Sequence, residues 1–181
     1  MNALICLHPG FEEIEAVVPI DLLSRAGIEV TQAAAGDART VTGRSGVSLQ
    51  ADCLLDTCSE QLFDLVILPG GPGINGLRNN SSICDLLSNH ANAGKLVGCI
   101  CAAPLLLKDA GLHSGRKLVC HPSAEAELGV DSTEPVIVDL PFITSRGAGT
   151  AIAFALALIE QLTSREKADE IAASICWNHR D

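Results

Sequence analysis

Short apolar runs alternate with amphipathic stretches along almost the whole chain. Residues 3–7 are wholly apolar and stop at His8-Pro9-Gly10, the pattern of a buried strand running into a turn. Residues 12–26 predict a helix whose acidic first turn suits the helix dipole, with Gly27 as its stop. Residues 28–34 read as a second strand, and the weak alternation over 41–52, around Gly43 and Gly46, as a hairpin. A strongly apolar strand over 64–68 leads into Pro69-Gly70-Gly71-Pro72-Gly73. A helix over 82–93, a strand over 96–100 and a helix over 102–110 follow, then short strands at 118–120, 136–139 and 142–145. Residues 149–162 form an Ala/Leu-rich helix with little polar surface, predicted to be buried between neighbours. Thr163-Ser-Arg-Glu166 has the spacing of a capping box opening a last helix.

Strands alternating with helices imply an α/β fold: a mainly parallel sheet with helices on both faces. With 181 residues and no linker, repeat or low-complexity segment, one domain spanning 1–181 is expected. A chain of this size buries roughly 70% of its unfolded surface and needs no metal or disulfide staple. Four Phe, one Trp and no Tyr leave Leu, Ile, Val and Ala to build that core.

The formal charge of −10, without basic clusters, argues against nucleic-acid and anionic-membrane partners, which demand Lys and Arg. The longest apolar run, 151–159, has nine residues, too few to span a bilayer. Residues 1–10 lack a basic segment followed by a long apolar one, so a cytoplasmic location is expected. Reduced thiols are then expected for the eight cysteines (6, 53, 58, 84, 99, 101, 120 and 176). The chain has no C-x-x-C, and the paired Cys/His spacings of a zinc site are missing. Cys99 and Cys101, spaced C-x-C, are expected on one side of a strand.

Gly98-Cys99-Ile100-Cys101-Ala102-Ala103-Pro104 runs a strand into a helix with almost no loop. Such a turn raises the residue at its apex above the sheet as a nucleophile elbow, with Ala102 and Ala103 small enough to permit it and Pro104 suited to a first helical turn. Cys101 would sit at strand carboxyl ends and at a helix N-terminus, where the dipole favours thiolate. Cys6, Cys84 and Cys99 read as small core cysteines. Glu12 and Glu13 read as solvated charges, whereas Glu15 shares a helix face with Val18 and Leu22 and so points toward the core. Burial keeps such a carboxyl protonated, able to hydrogen-bond a thiolate or to move protons. Pro19 removes the N–H that the Glu15 carbonyl would accept, and a bend is expected there.

Gly71 to Gly76 formally match G-x-G-x-x-G, but no acidic residue closes the next strand, which ends Cys-Ile-Cys. The better reading is a turn whose Gly71 amide joins that of Ala102 as an oxyanion hole. His121, in Cys120-His121-Pro122, is a candidate base or orienting partner for Cys101, or a structural histidine. His8, His90, His113 and His179 read as loop or surface positions.

Together, Pro-Gly-Phe-Glu-Glu-Ile-Glu-Ala, Ile-Asp-Leu-Leu-Ser-Arg-Ala-Gly-Ile, Val-Ile-Leu-Pro-Gly-Gly, Cys-Ile-Cys-Ala-Ala-Pro, Cys-His-Pro and Thr-Ser-Arg-Gly-Ala-Gly-Thr-Ala resemble the ThiJ/PfpI superfamily, specifically its parkinsonism-associated deglycase branch. The resemblance implies a flavodoxin-like, class I glutamine amidotransferase-like sandwich and a homodimer without a cofactor. It implies Cys101 as an oxidisable nucleophile, Glu15 as the acid bonded to its sulfur, His121 close by, and Gly70, Gly71 and Ala102 as turn and backbone donors. The implied activity is glutathione-independent glyoxalase or deglycase action on methylglyoxal, glyoxal or their early protein and nucleotide adducts. The alternative is a redox sensor or chaperone-like stress protein signalling through Cys101 sulfinate. Ala102 stands where the superfamily's protease-like members carry histidine, which argues against a Cys-His protease. Arg25 and Arg44 resemble family arginines near a dimer interface.

Overall fold

The computed structural model describes residues 1–178; His179 lies outside the described residues. In chain order the elements are β1 (Asn2–Leu7), α1 (Glu13–Arg25), β2 (Glu29–Ala34), β3 (Thr40–Thr42), β4 (Ser48–Gln50), β5 (Cys53–Leu54), β6 (Leu65–Leu68), α2 (Ser81–Asn92), β7 (Leu96–Ile100), α3 (Pro104–Asp109), α4 (Pro122–Leu128), β8 (Val136–Asp139), β9 (Phe142–Ser145), α5 (Ala151–Leu162) and α6 (Arg165–Ser174). Seven strands form one sheet in the order β5-β2-β1-β6-β7-β9-β8, parallel except for β8, which pairs antiparallel with β9. β3 and β4 make the expected hairpin.

Side chains of the central strands alternate between two cores. Ala3, Ile5 and Leu7 of β1 face α1, α5 and α6, whereas Leu4 and Cys6 face α2 and α3. That period of two explains why these strands are apolar throughout: both faces are covered. Gly98 lets α5 approach β7, since a Cβ there would lie 3.0 Å from both Leu158 and Phe154 side chains. α5 is half of the apolar wall on that face, as its composition predicts. α1 runs unbroken through the buried Pro19.

Several expectations require correction. Residues 118–120 are buried but join no ladder. Both edges of β9 are already taken by β7 and β8, and Val119 donates its N–H to the Thr144 hydroxyl instead (3.0 Å). The last helix is capped by Ser164, which accepts from Lys167 N, while Thr163 closes α5 by donating to the Ile159 carbonyl. The cap therefore sits one residue later than expected, and because position 167 is a lysine no reciprocal capping box forms. β5 and α4 were not anticipated, being two and seven residues long. His8 and His90 are buried, not loop or surface groups. His90 donates from Nδ1 to the Leu86 carbonyl (2.7 Å), accepts the Phe63 N–H at Nε2 (3.0 Å) and stacks on the Phe63 ring. A neutral imidazole satisfied at both nitrogens is a core residue.

Candidate active site

The parallel strands deliver their carboxyl ends to one rim, and the candidate groups assemble there. β7 ends at Ile100, and Cys101 adopts φ +64°, left-handed for a residue with a side chain. Its backbone is pinned on both sides: the Cys101 N–H donates to the Ser145 carbonyl (2.9 Å), and its carbonyl accepts the His121 N–H (2.8 Å). These bonds hold a conformation that costs on the order of 1–3 kcal/mol. The positive φ also swings the side chain away from Cys99. Cys99 lies in the α2–α3 core, and Cys101 packs toward the α1 side, so the two do not share a face. Strand alternation stops where the chain leaves the β region.

Glu15 meets Cys101 from α1. Its side chain is 1% exposed, and Oε2 accepts the Gly70 N–H at 2.8 Å. Burial pushes its carboxyl up to about 7, opposed by the bonds from Gly70 and from the Cys101 thiol. Burial likewise pushes Cys101 up to about 12, the charge of Glu15 adding to it and the Gly71 and Ala102 amides opposing it. Dipole stabilisation of a thiolate, expected from the sequence, is thus outweighed: α3 starts only at Pro104, runs six residues, and Cys101 is largely removed from water. With Glu15 protonated, the repulsion becomes a donated hydrogen bond.

Gly70 separates the two groups. A Cβ there would lie 2.6 Å from Cys101 Cβ and 2.8 Å from Glu15 Oε2. Gly71, at φ +103°, would bring a Cβ within 2.5 Å of the Gly10 carbonyl. Only glycine fits either position. The Gly71 and Ala102 amides address the Cys101 sulfur itself. The Gly71–Gly76 stretch opens a 3-10 turn over Pro72–Gly76 rather than a long helix, unlike a dinucleotide site.

His121 caps α4 and lines the same cleft as Cys101. Its Nδ1 accepts the Ser123 N–H (3.2 Å) and lies 2.8 Å from the Ser123 hydroxyl. A backbone N–H can only donate, so the ring proton sits on Nε2, and the lone pair that a base needs is engaged elsewhere. Gly147 abuts both His121 and Glu15.

The sequence reading missed His8. Its Nε2 faces the Pro69 carbonyl at 3.1 Å and its Nδ1 the Pro9 carbonyl at 3.3 Å; burial keeps the ring neutral, so it donates to one of them, and the shorter contact puts the proton on Nε2. The same peptide unit's N–H, that of Gly70, is the donor to Glu15. Nothing in the local pattern distinguished this histidine from a turn residue. Glu12 and Glu13 are not simply solvated: Glu12 pairs with Arg44 (3.1 Å), and Glu13 accepts the Ser45 N–H (2.7 Å), fastening the hairpin to α1. Arg44 therefore lies at the cleft, whereas Arg25 pairs with Asp21 on the exposed side of α1.

The cleft over Cys101 is open and measures about 460 Å³, with Glu12, Arg44, Arg78, Leu105 and His121 around it. Arg78 is held by a bidentate pair with Asp109 (2.6 and 2.8 Å) and by Glu127, so it braces the wall. Among the described residues, no group of three or more His, Cys, Asp or Glu converges as a metal site would, and no helix is long and apolar enough to cross a membrane.

Residues 1–161 match the DJ-1/PfpI family. The chain is 38% identical to Protein dj-1beta of Drosophila melanogaster over 179 residues, 96% of each chain. It is 33% identical to the glutathione-independent glyoxalase DJR-1.2 of Caenorhabditis elegans, covering 97% of this chain and 96% of the relative. The solved structure of oxidized Toxoplasma gondii DJ-1 superposes with a TM-score of 0.93 at 36% identity, covering 98% of this chain and 99% of that one. With a flavodoxin-like α/β sheet, a cysteine elbow and a buried glutamate in the order its motifs imply, the chain belongs to the DJ-1/PfpI family.

Proposed function

We propose that this protein is a cofactor-independent, glutathione-independent glyoxalase, acting on methylglyoxal, glyoxal or their early glycation adducts in the manner of a deglycase. The observation that carries the reading is the contact between a buried carboxyl with a pKa of about 7 and a thiol held at a strained elbow. Near neutral pH, Glu15 is poised to take the thiol proton and to return it. A homologue named glutathione-independent glyoxalase supports the substrate class.

The chemistry follows from the positions. Cys101 sulfur bonds to the aldehyde carbon as its proton passes by way of Glu15 to the aldehyde oxygen, giving a hemithioacetal. The Glu15 carboxylate, free again, takes the carbon-bound hydrogen as a proton and returns it to the neighbouring carbon through an enediolate, so the thiohemiacetal carbon is oxidised and its neighbour reduced with no external oxidant. Water then cleaves the thioester, releasing a 2-hydroxy acid and the free thiol. The Gly71 and Ala102 amides, which favour negative charge at sulfur, also suit the oxyanion formed beside it. His121 acts as a donor through Nε2–H rather than as a base, because Nδ1 is engaged by Ser123.

The same observation supports a second reading, a redox sensor or chaperone-like protein. Amides and a carboxyl directed at the sulfur would also hold a sulfinate, and a structural relative was solved in oxidized form. A homodimer suits either reading. Glu13 and Ser45 hold α1 against the hairpin, and Ile14, Val17 and Val47 expose 51%, 43% and 50% of their surface there, an apolar face that a second copy would cover.

The test measures lactate formed from methylglyoxal without glutathione, with intact masses before and after mild peroxide. The glyoxalase reading expects turnover in wild type and a loss of at least about 100-fold in Cys101→Ser and Glu15→Gln. Full activity in Cys101→Ser would overturn it. No turnover in reduced wild type, with two oxygens gained at Cys101, would establish the sensor.

A further inference from the structure

Away from the elbow, Cys53 and Cys58 form a second thiol site. Cys53 opens β5, the edge strand of the sheet, where it pairs with Ala33. The chain then turns through a 3-10 helix, Leu55–Thr57, and Cys58 caps it. This return brings the two sulfurs to 3.5 Å, with the Cys53 S–H directed at the Cys58 sulfur. The Cys58 S–H in turn addresses the Leu55 carbonyl at 3.5 Å. Both residues are partly exposed, unlike Cys6, Cys99 and Cys120, which are fully buried. The glyoxalase chemistry uses neither.

We infer that Cys53 and Cys58 are a reversible dithiol–disulfide switch oxidised by hydroperoxides, independent of Cys101. The first step transfers oxygen: the Cys53 thiolate attacks peroxide, an S–O bond forms, the O–O bond breaks and hydroxide leaves. Cys58 then attacks that sulfenic sulfur, the S–S bond forms, the S–O bond breaks and water leaves. Two thiols and one peroxide give one disulfide and two waters. The sulfurs must close from 3.5 Å to a bond of about 2.0 Å, a movement that the short turn after β5 can supply. Burial and the adjacent Cys53 push the Cys58 thiol up to about 12, so Cys58 stays protonated and is not the thiol that meets peroxide first.

The switch differs from the elbow in kind. The partners of Cys101 are Glu15 and the Gly71 and Ala102 amides rather than a second thiol, so it is free to proceed to sulfinate, whereas a resolving neighbour stops Cys53 at the reversible stage. The disulfide would also tie the sheet edge to the turn that follows it. Cys6 is the competitor: its place in register with Ala33 and Cys53 sets it in the same row, and it senses Cys58 electrostatically.

Trypsin separates the possibilities, because residues 45–78 contain no internal Lys or Arg and hold both thiols, while Cys6 lies in 1–25. Wild type and Cys101→Ser are treated with hydrogen peroxide, alkylated without reduction, digested and mass-analysed. The expected result in both is a 45–78 peptide lacking two hydrogens and both alkyl groups, restored to two alkylated thiols by dithiothreitol. Cys58→Ser should abolish this loss and leave a dimedone-reactive Cys53. Amide exchange over 53–58 should slow on oxidation. Two alkylatable thiols persisting on 45–78 while wild-type Cys101 gains two oxygens would overturn the inference. A cross-link to 1–25, or one between two copies of 45–78, would overturn it as well.

Discussion

His8 and Glu15 hold opposite ends of one peptide group. His8 Nε2 donates to the Pro69 carbonyl at 3.1 Å, and the Gly70 N–H of the same unit donates to Glu15 Oε2 at 2.8 Å. Each bond polarises the peptide in the sense that strengthens the other. A buried imidazole thereby reaches the carboxyl without touching it, and His8 is a positioning residue.

His8→Ala should raise the pKa at which Glu15 titrates by a few tenths of a unit, because the Gly70 N–H becomes a weaker donor. The acid limb of the pH–rate profile would move upward, with kcat falling several-fold at unchanged KM. The orphaned Pro69 carbonyl should cost about 1–3 kcal/mol of stability. His8→Gln, which keeps a donor, should restore the limb. A profile identical to wild type in His8→Ala would deny the coupling.

Glu15→Gln should stabilise the protein while removing its activity. The carboxyl's folded pKa of about 7 exceeds its ordinary value of 4.5, so the native state binds a proton that the unfolded chain releases. Wild type therefore loses stability as pH rises from 4.5 to about 7, and an uncharged amide does not. The variant's advantage should be about 3 kcal/mol at pH 8 and should nearly vanish by pH 4.5. Urea denaturation at the two pH values measures it; equal stabilities at pH 8 would contradict the burial penalty.

Gly70→Ala should displace the elbow locally, costing stability as well as most of the activity. The added Cβ meets Cys101 Cβ at 2.6 Å, Glu15 Oε2 at 2.8 Å and the Ile100 carbonyl at 2.9 Å, so thiol and carboxyl must part. A fall of 100-fold or more in kcat/KM with a native far-UV spectrum is expected, an activation cost of about 2.7 kcal/mol.

Acid should destabilise the fold through its buried histidines. Burial lowers the pKa of His8 and His90 below the usual 6.5, so below that pH the unfolded chain takes up protons that the native state refuses. Stability should fall with a slope of up to about 1.4 kcal/mol per pH unit for each histidine. Measured in the Glu15→Gln background, where the opposing carboxyl is absent, His90→Gln should flatten the slope. An unchanged slope would exclude His90 as a source.

Much of this molecule was legible one residue at a time. Strands at 96–100 and 142–145, the long helices and the hairpin follow from apolar periodicity and glycine punctuation, which act over a few residues. Cys101 and Glu15 were legible for the same reason: a strand abutting a helix forces an elbow, and a glutamate three residues before Val18 must face the core. The motifs also placed the chain in its family. Residues 118–120 looked like a strand because extended apolar chain is all that a local pattern can report. Whether it joins a ladder depends on β7 and β8 having occupied the edges of β9 first. The Ser164 cap, one residue from its predicted place, was set by where α5 stopped.

Tertiary structure alone decided the rest. The thiol's burial, which opposes the helix dipole, depends on what covers Cys101. The role of His8 depends on β1 and β6 lying side by side, so that position 8 reaches Pro69. The tautomer of His121 depends on its capping of α4, and the approach of Cys58 to Cys53 on one short turn. Sequence pattern determined which chemical groups the chain carries and which local structures bear them. Their protonation states and partners were decided only by the fold, because desolvation and hydrogen bonding are set by neighbours distant along the chain.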